Sequence, residues 1–356
     1  MEHSTSLFIE LLQVALGTRD QMSRCPSSSE WEAMYREARR HCVVGVCLQA
    51  LQKDDGQWGV DNGIPLDLKL KWIGKGERIS DTNHELNQQC KKLSDKLTAS
   101  GYWNCILKGQ GIALLYPNPY WRESGDIDIW VRGNRNSLVE MTRRISGRKE
   151  AVTYHHTSFH VFPDTVVELH FTPSWFFNPF RNRRLQRWFN THYEVRTDTE
   201  FPIPTTAFNT LYILQHIYRH IFDDGIGLRQ IIDYYYVLKE NRGETIPDLK
   251  RFGLLPFARG LMWMMQQTLG LPKEWMIAVP DERLGEWLRN EILQAGNFGH
   301  NDHRFEGIER HTRTERFNWH IRQVLRRCRL FPSESLWEIP WRSGQFLWRL
   351  CHGYLG

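Results

Sequence analysis

Gly125-Asp126-Ile127-Asp128-Ile129-Trp130-Val131 alternates carboxylate or aromatic side chains with branched apolar ones through one short run. A period of two marks a β-strand with two unlike faces, because successive side chains on a strand point to opposite sides. Ile127, Ile129 and Val131 share one face, and Asp126, Asp128 and Trp130 share the other. Two bare carboxylates held that close repel, and an isolated pair raises the pKa of one of them. A divalent cation removes the repulsion, and hard oxygen ligands of this kind suit Mg²⁺ or Mn²⁺ rather than zinc. Phosphoryl transfer often uses two such ions about 3.5–4 Å apart, one on the attacking oxygen and one on the leaving group. A third carboxylate from an adjacent strand is then needed, and Val166-Val167-Glu168-Leu169-His170 supplies one in an apolar run. Asp126, Asp128 and Glu168 are therefore the candidate catalytic and metal-binding residues. A lone Asp-x-Asp is commonly a solvated strand edge; the apolar alternation, the upstream glycine loop and the third acidic strand weigh toward function.

Outward from this strand, Trp103–Leu107 reads as a short strand ending at Lys108-Gly109, Gln110–Tyr116 as one or two helical turns, and Pro117-Asn118-Pro119 as an exposed loop. Leu138–Ile145 has helical spacing. Ser158–Phe162 and Val166–His170 read as two strands about a turn at Pro163-Asp164. Toward the start, Ser6–Leu16 is a helix stopped by Gly17, and Ser29-Glu30-Trp31-Glu32 caps an amphipathic run to about Gln52. Asp54–Gln57 and Asp61–Gly63 are loops. A long helix over Leu66–Ser100 places Ile79, Leu86, Cys90, Leu93 and Leu97 on its buried side. Beyond Pro173 the helical runs are Thr206–Phe222, Leu228–Glu240, Leu255–Leu269, Asp281–Ala295 and Arg313–Cys328. The expected class is α+β: a small mixed-sheet core over residues 101–200, between an N-terminal helical region (1–100) and a C-terminal helical domain (201–356).

The composition, 41% hydrophobic and 24% charged over 356 residues, is that of a globular chain with more than one minimal core. The longest apolar stretch, Leu211–Ile221, is interrupted by Gln215, His216, Arg219 and His220 and falls short of the ~18 apolar residues that span a bilayer. Met1–Thr5 lacks the basic region of a signal peptide, so a cytoplasmic protein is expected. Seven scattered cysteines without a C-x-x-C pair argue against a disulfide framework and a zinc ribbon. A net charge of +5 fits a phosphate-bearing substrate without by itself indicating nucleic acid. Nine of the fifteen tryptophans lie after residue 174, where plugging a helical core explains them better than stacking on bases.

The strand–turn–helix followed by Asp-x-Asp resembles the DNA polymerase beta-like nucleotidyltransferase superfamily. More closely, the chain is similar to an uncharacterised bacterial nucleotidyltransferase family with a Leu-Lys-Gly turn, an Arg before the Asp-x-Asp strand and a later acidic-x-His strand. Those elements are Leu107-Lys108-Gly109, Arg122, Gly125–Trp130 and Glu168-Leu169-His170. His216–His220, Gly227–Asp233 and Ala295–Gly299 match its helical tail, so that the resemblance runs from about Leu7 to Arg329. It implies a nucleotidyltransferase core that uses Mg²⁺ or Mn²⁺ to move a nucleoside monophosphate from a nucleoside triphosphate to an acceptor hydroxyl or phosphate. The acceptor is a small molecule, RNA or protein. One departure stands out. The superfamily's second turn residue, Gly or Ser, binds the triphosphate, and Lys108-Gly109-Gln110 replaces it here. Lysine binds phosphate by charge; the alternatives are a donor held differently, or none at all.

The nucleotide- and phosphate-binding candidates are Lys108, Gly109, Arg122, His170 and Arg229. Arg122 either binds phosphate bidentately or pairs with Glu123 or another neighbour. His170 shares the face of Glu168 and orients it, contacts substrate, or simply packs behind it. Arg229 makes an intrahelical pair with Asp233 or, following Gly225 and Gly227, meets an anion at a helix start. His216 and His220 have the i, i+4 spacing of zinc ligands but no evident third ligand; facing the cleft or packing on Tyr234–Tyr236 is the better reading. Trp337–Leu355, which contains Pro340 and Gly344, is expected to dock on the helical domain rather than insert in a membrane. Two other classes stay open: a non-catalytic nucleotide-binding relative, and a toxin-like enzyme modifying tRNA or a protein. Basic Arg322–Arg329 is compatible with RNA, but no RNA-reading motif accompanies it.

Overall fold

The computed structural model describes residues 2–51, 63–148, 150–222, 225–296 and 313–354. Four helices lead: α1 (Glu2–Leu16), α2 (Ser28–Arg40), α3 (Val44–Leu51) and α4 (Leu66–Ala99). A capping box between Ser27 and Glu30 starts α2. The run expected to continue to Gln52 breaks after it. Cys42 takes a left-handed conformation, φ 54°, and the Val43 N–H returns to the Ala38 carbonyl at 2.9 Å. This closes the helix end and reverses the chain, so that both segments pack on α1. The loops expected at Asp54–Gln57 and Asp61–Gly63 lie, Gly63 apart, outside the described residues.

The middle of the chain holds β1 (Asn104–Ile106), α5 (Gln110–Ala113), β2 (Asp126–Val131), α6 (Arg135–Ser146), β3 (His156–Ser158), β4 (Val166–His170) and α7 (Pro179–Thr191). A two-stranded ribbon follows, β5 (Val195–Arg196) and β6 (Ile203–Pro204). Then come α8 (Thr206–Phe222), α9 (Leu228–Asn241), α10 (Leu249–Phe252), α11 (Leu255–Leu269), α12 (Glu282–Ala295), α13 (Arg313–Cys328) and α14 (Pro332–Cys351). The sheet order is β1-β2-β4-β3, with β2 and β4 parallel and both outer strands antiparallel to their neighbours. The strand expected over Ser158–Phe162 lies earlier, at His156–Ser158; Phe159 still donates to the Val167 carbonyl before the chain bends over residues 162–164.

The apolar sheet face, Ile127, Ile129 and Val131 with Val167 and Leu169, packs on Leu86, Cys90, Leu93 and Leu97 of α4 and on Leu138 and Met141 of α6. The α4 residues form the expected helical stripe, and each fully buried aliphatic side chain contributes about 1.5–3 kcal/mol. The opposite face carries the aspartates, and Trp130 there packs against Phe189 and Phe208. A larger core joins α1, α2 and α3 to α8, α9, α11 and α12. Gln13 Nε2 donates to the Thr268 carbonyl and Thr18 Oγ1 to that of Leu269, tying the two helical regions together. α14 runs through Pro340 and docks by Trp341 on Tyr154, while Glu338 takes ion pairs from Arg327 and Arg342. No described helix is long and apolar enough to cross a membrane, and the cysteines are free thiols.

Candidate active site

Parallel pairing sets Asp128 directly opposite Glu168, and Trp130 opposite His170. Antiparallel pairing on the other side of β4 sets His156 opposite His170. All of these share the face that the apolar core leaves. His170 Nε2 lies 2.8 Å from Asp128 Oδ1 and 3.4 Å from Glu168 Oε2, and His156 Nδ1 is 3.2 Å from the same Glu168 oxygen. Asp128, Glu168 and His170 bring ligand atoms within 4.8 Å of one another. Asp126 lies on the same face, one pleat nearer the start of β2 and outside that trio.

The turn after β1 brings a cation into the same place. Gly109 adopts φ 61°, ψ −115°, a conformation that side chains resist, and Leu107 N–H bonds the Asp128 carbonyl at 2.9 Å. Lys108 Nζ thereby lies 2.9 Å from Asp128 Oδ1. Burial works against the lysine charge, but Asp128, Glu168 and Asp126 together raise its pKa. Burial would likewise raise Asp128; Lys108 and His170 override it and hold this carboxyl well below the usual range. For Glu168, burial is overcome chiefly by the His170 hydrogen bond, and its pKa is lowered. Asp126 moves the other way: repulsion from Asp128, then burial, raises it against Lys108. His170 is raised, since the hydrogen bonds to Asp128 and Glu168 outweigh its burial.

The two arginine expectations come out differently. Arg122 is buried, and its Nε and Nη2 each lie 2.7 Å from one oxygen of Asp233, while Nη1 donates to Ser124 Oγ at 2.8 Å. Tyr116 donates to the same Asp233 carboxylate at 2.6 Å. The guanidinium read as a phosphate ligand is thus turned inward, where it clamps the loop before β2 onto α9. Asp233, read as a partner of Arg229, has both oxygens engaged by this clamp. Arg229 donates from Nη1 to the Glu123 carbonyl, and its charge lowers Asp126. His216 and His220 touch each other, Nε2 to Nε2 at 3.1 Å. Burial, then the charges of His220 and Lys108, holds His216 far below the ordinary histidine value.

Sequence reading missed His155 and His156. Burial, offset in part by Glu168, brings His156 down to about 4, and burial lowers His155 well below its usual value. The adjacent His-His pair was visible, but its distance from Glu168 depends on how β3 pairs with β4. The residues fit a divalent cation. Asp126, Asp128 and Glu168 put three carboxylates on one face, and His170 keeps a buried Nδ1 with no hydrogen-bond partner.

A family described as "Uncharacterised nucleotidyltransferase" matches residues 27–270. The chain belongs to this family. Its general role is nucleotidyl transfer, and it is an enzyme of that class. No curated protein matches the chain. Among solved structures it is similar to an antigenic nucleotidyltransferase-like protein from Paracoccidioides brasiliensis, at 14% identity and a TM-score of 0.36, over 57% of this chain and 97% of that one.

Proposed function

We propose that this nucleotidyltransferase is metal-dependent and takes a nucleoside triphosphate as donor. An acceptor oxygen attacks the α-phosphorus, the bond between the α-phosphorus and its bridging oxygen breaks, and pyrophosphate leaves. Asp126, Asp128 and Glu168 hold Mg²⁺ or Mn²⁺, which when bound stabilises charge on the phosphate oxygens. Glu168, the most solvent-accessible member of the Asp128–Glu168–His170 trio, accepts the proton of the acceptor hydroxyl. His170 orients Asp128 and Glu168 through Nε2. Lys108 leaves Asp128 for the triphosphate and, with Arg229, neutralises its charge. Arg122 is a positioning residue in this scheme, holding the loop that precedes the aspartates.

The observation that carries the reading is the register pairing of Asp128 with Glu168 on parallel strands, with Asp126 on the same face. The test is incubation with each labelled triphosphate, Mg²⁺ or Mn²⁺ and a cell extract. Label transferred to an acceptor, and lost in Asp126→Asn, supports the reading; no transfer with any triphosphate overturns it. A second reading, a nucleotide-binding relative without catalysis, draws on one observation: the Lys108 ammonium already neutralises Asp128. Nucleotide binding that ignores added metal would favour it.

A further inference from the structure

His155 and His156 have no part in the transfer scheme. His156 opens β3 opposite His170, so its ring lies on the carboxylate face. Consecutive residues of a straight strand point to opposite faces, but His155 sits in the bend just before β3. There Thr153 N–H bonds the His156 carbonyl at 2.8 Å, and His156 N–H bonds the Thr153 hydroxyl at 3.1 Å. The bend turns both imidazoles to one side. His156 Nδ1 lies 2.9 Å from His155 Nε2, and ring nitrogens of His155, His156 and His170 all fall within 4.8 Å of one another.

Two features hold this cluster in place. The Trp175 ring packs on His155 at 3.9 Å between centroids, and Thr153 Oγ1 lies 3.2 Å from His155 Nδ1. An outer partner on one ring nitrogen, with the other nitrogen facing inward, is how histidines are oriented as metal ligands. Two ring nitrogens 2.9 Å apart require a shared proton or a common cation. Beside them His170 is 1% exposed and keeps Nδ1 without a hydrogen-bond partner.

We propose that His155, His156 and His170, completed by Glu168, hold a divalent cation of the borderline transition-metal class, Co²⁺, Ni²⁺ or Zn²⁺. This position lies beside the one assigned above to the transfer metal. Glu168 Oε2 is 3.2 Å from His156 Nδ1 and 3.4 Å from His170 Nε2, so it supplies an oxygen from the centre of the group. Imidazole selects Co²⁺, Ni²⁺ and Zn²⁺ over Mg²⁺ and Mn²⁺, which keep oxygen ligands. Two positions of unlike chemistry therefore meet at Glu168, one walled by oxygen and the other by nitrogen. The inference rests on the transfer reading through Glu168 and His170, which both positions share; His155 and His156 stand independently of it.

Metal-free protein loaded with one equivalent of Co²⁺ provides the test, read by pulsed electron paramagnetic resonance. Nitrogen-14 couplings from coordinated imidazole are expected, and a hundredfold excess of Mg²⁺ should leave them in place. His155→Gln with His156→Gln should weaken Co²⁺ binding at least tenfold and diminish the couplings. His156→Gln alone serves if the double variant does not fold, as judged by its circular dichroism melt. Co²⁺ bound without nitrogen coupling overturns the proposal, as do couplings unchanged in the variants. Asp126→Asn, outside the ring cluster, separates the two readings. Couplings kept while the Mg²⁺-nucleotide response is absent even in the wild type would overturn the transfer reading alone. That response kept without any nitrogen coupling would overturn the histidine site alone.

Discussion

The Lys108 ammonium lies 2.9 Å from Asp128 Oδ1, where a catalytic cation would need that oxygen. At an effective dielectric near 20, a divalent metal and an ammonium about 4 Å apart repel each other by about 8 kcal/mol. Lysine and metal are thus competitors until a triphosphate draws the lysine away.

Lys108→Met keeps the length of the side chain and removes its charge. Without nucleotide, Mn²⁺ affinity measured by calorimetry should rise at least tenfold, while nucleotidyl transfer should fall. Unchanged or weaker metal binding would show that the ammonium and the cation do not share a position.

Arg122 and Asp233 form a buried fork with Tyr116 as third partner. Removing one member strands the other charge, and such losses cost about 3–5 kcal/mol. Arg122→Ala and Asp233→Asn should each lower unfolding stability by that order. The double variant should lose much less than the sum. Arg122→Lys should rescue little, because an ammonium cannot reproduce the planar fork. Chemical denaturation of the wild type and the four variants checks this, and additive losses would count against the clamp.

Glu334 is fully buried and accepts backbone N–H groups of Phe177 and Asn178. Burial pushes its carboxyl from the ordinary 4.5 up to about 7. A raised carboxyl binds its proton more tightly in the folded state, so this group stabilises fully below pH 4.5. That contribution is lost as pH rises toward 7. Melting temperature should therefore fall across this window by an amount on the order of 3 kcal/mol in stability. Glu334→Gln should flatten the slope. A slope equal in wild type and variant would mean that another group titrates there.

Much of this architecture was legible locally. The period-two run at Asp126–Val131 is β2, and α8 and α11 have the bounds that their spacing predicts. Gly270, at φ 71°, ends α11 where the apolar rhythm stops. What escaped depends on contacts distant in sequence. Nothing near Arg122 shows that its partner is Asp233 on α9, and the i, i+4 rule pointed Asp233 at Arg229 instead. His155 and His156 gain meaning only once β3 is known to pair with β4. The α2–α3 break escaped for a local reason, since a left-handed cysteine carries no composition signal. Period two placed Asp126, Asp128 and Glu168 on strands, but it could not say that Lys108 reaches the same oxygen.

The two aspartates, alike in sequence, should answer differently to substitution. Read from spacing alone, they repel, and replacing both with asparagine should do no harm without metal. The surroundings divide them. Repulsion and burial raise Asp126, so Asp126→Asn removes an unfavourable charge and should leave metal-free stability at pH 7 unchanged or higher. Asp128 is the partner of Lys108 and of His170, so Asp128→Asn strands a largely buried ammonium and should cost about 3 kcal/mol. Both variants should nevertheless lose the stabilisation that Mg²⁺ with a nucleotide gives the wild type, a mass-action gain of about 2.7 kcal/mol at a hundredfold excess over Kd. Melting curves of the three proteins, with and without metal and nucleotide, decide the matter. Equal metal-free losses in the two variants would refute the division, and a ligand-dependent shift surviving in either would remove that aspartate from the metal site.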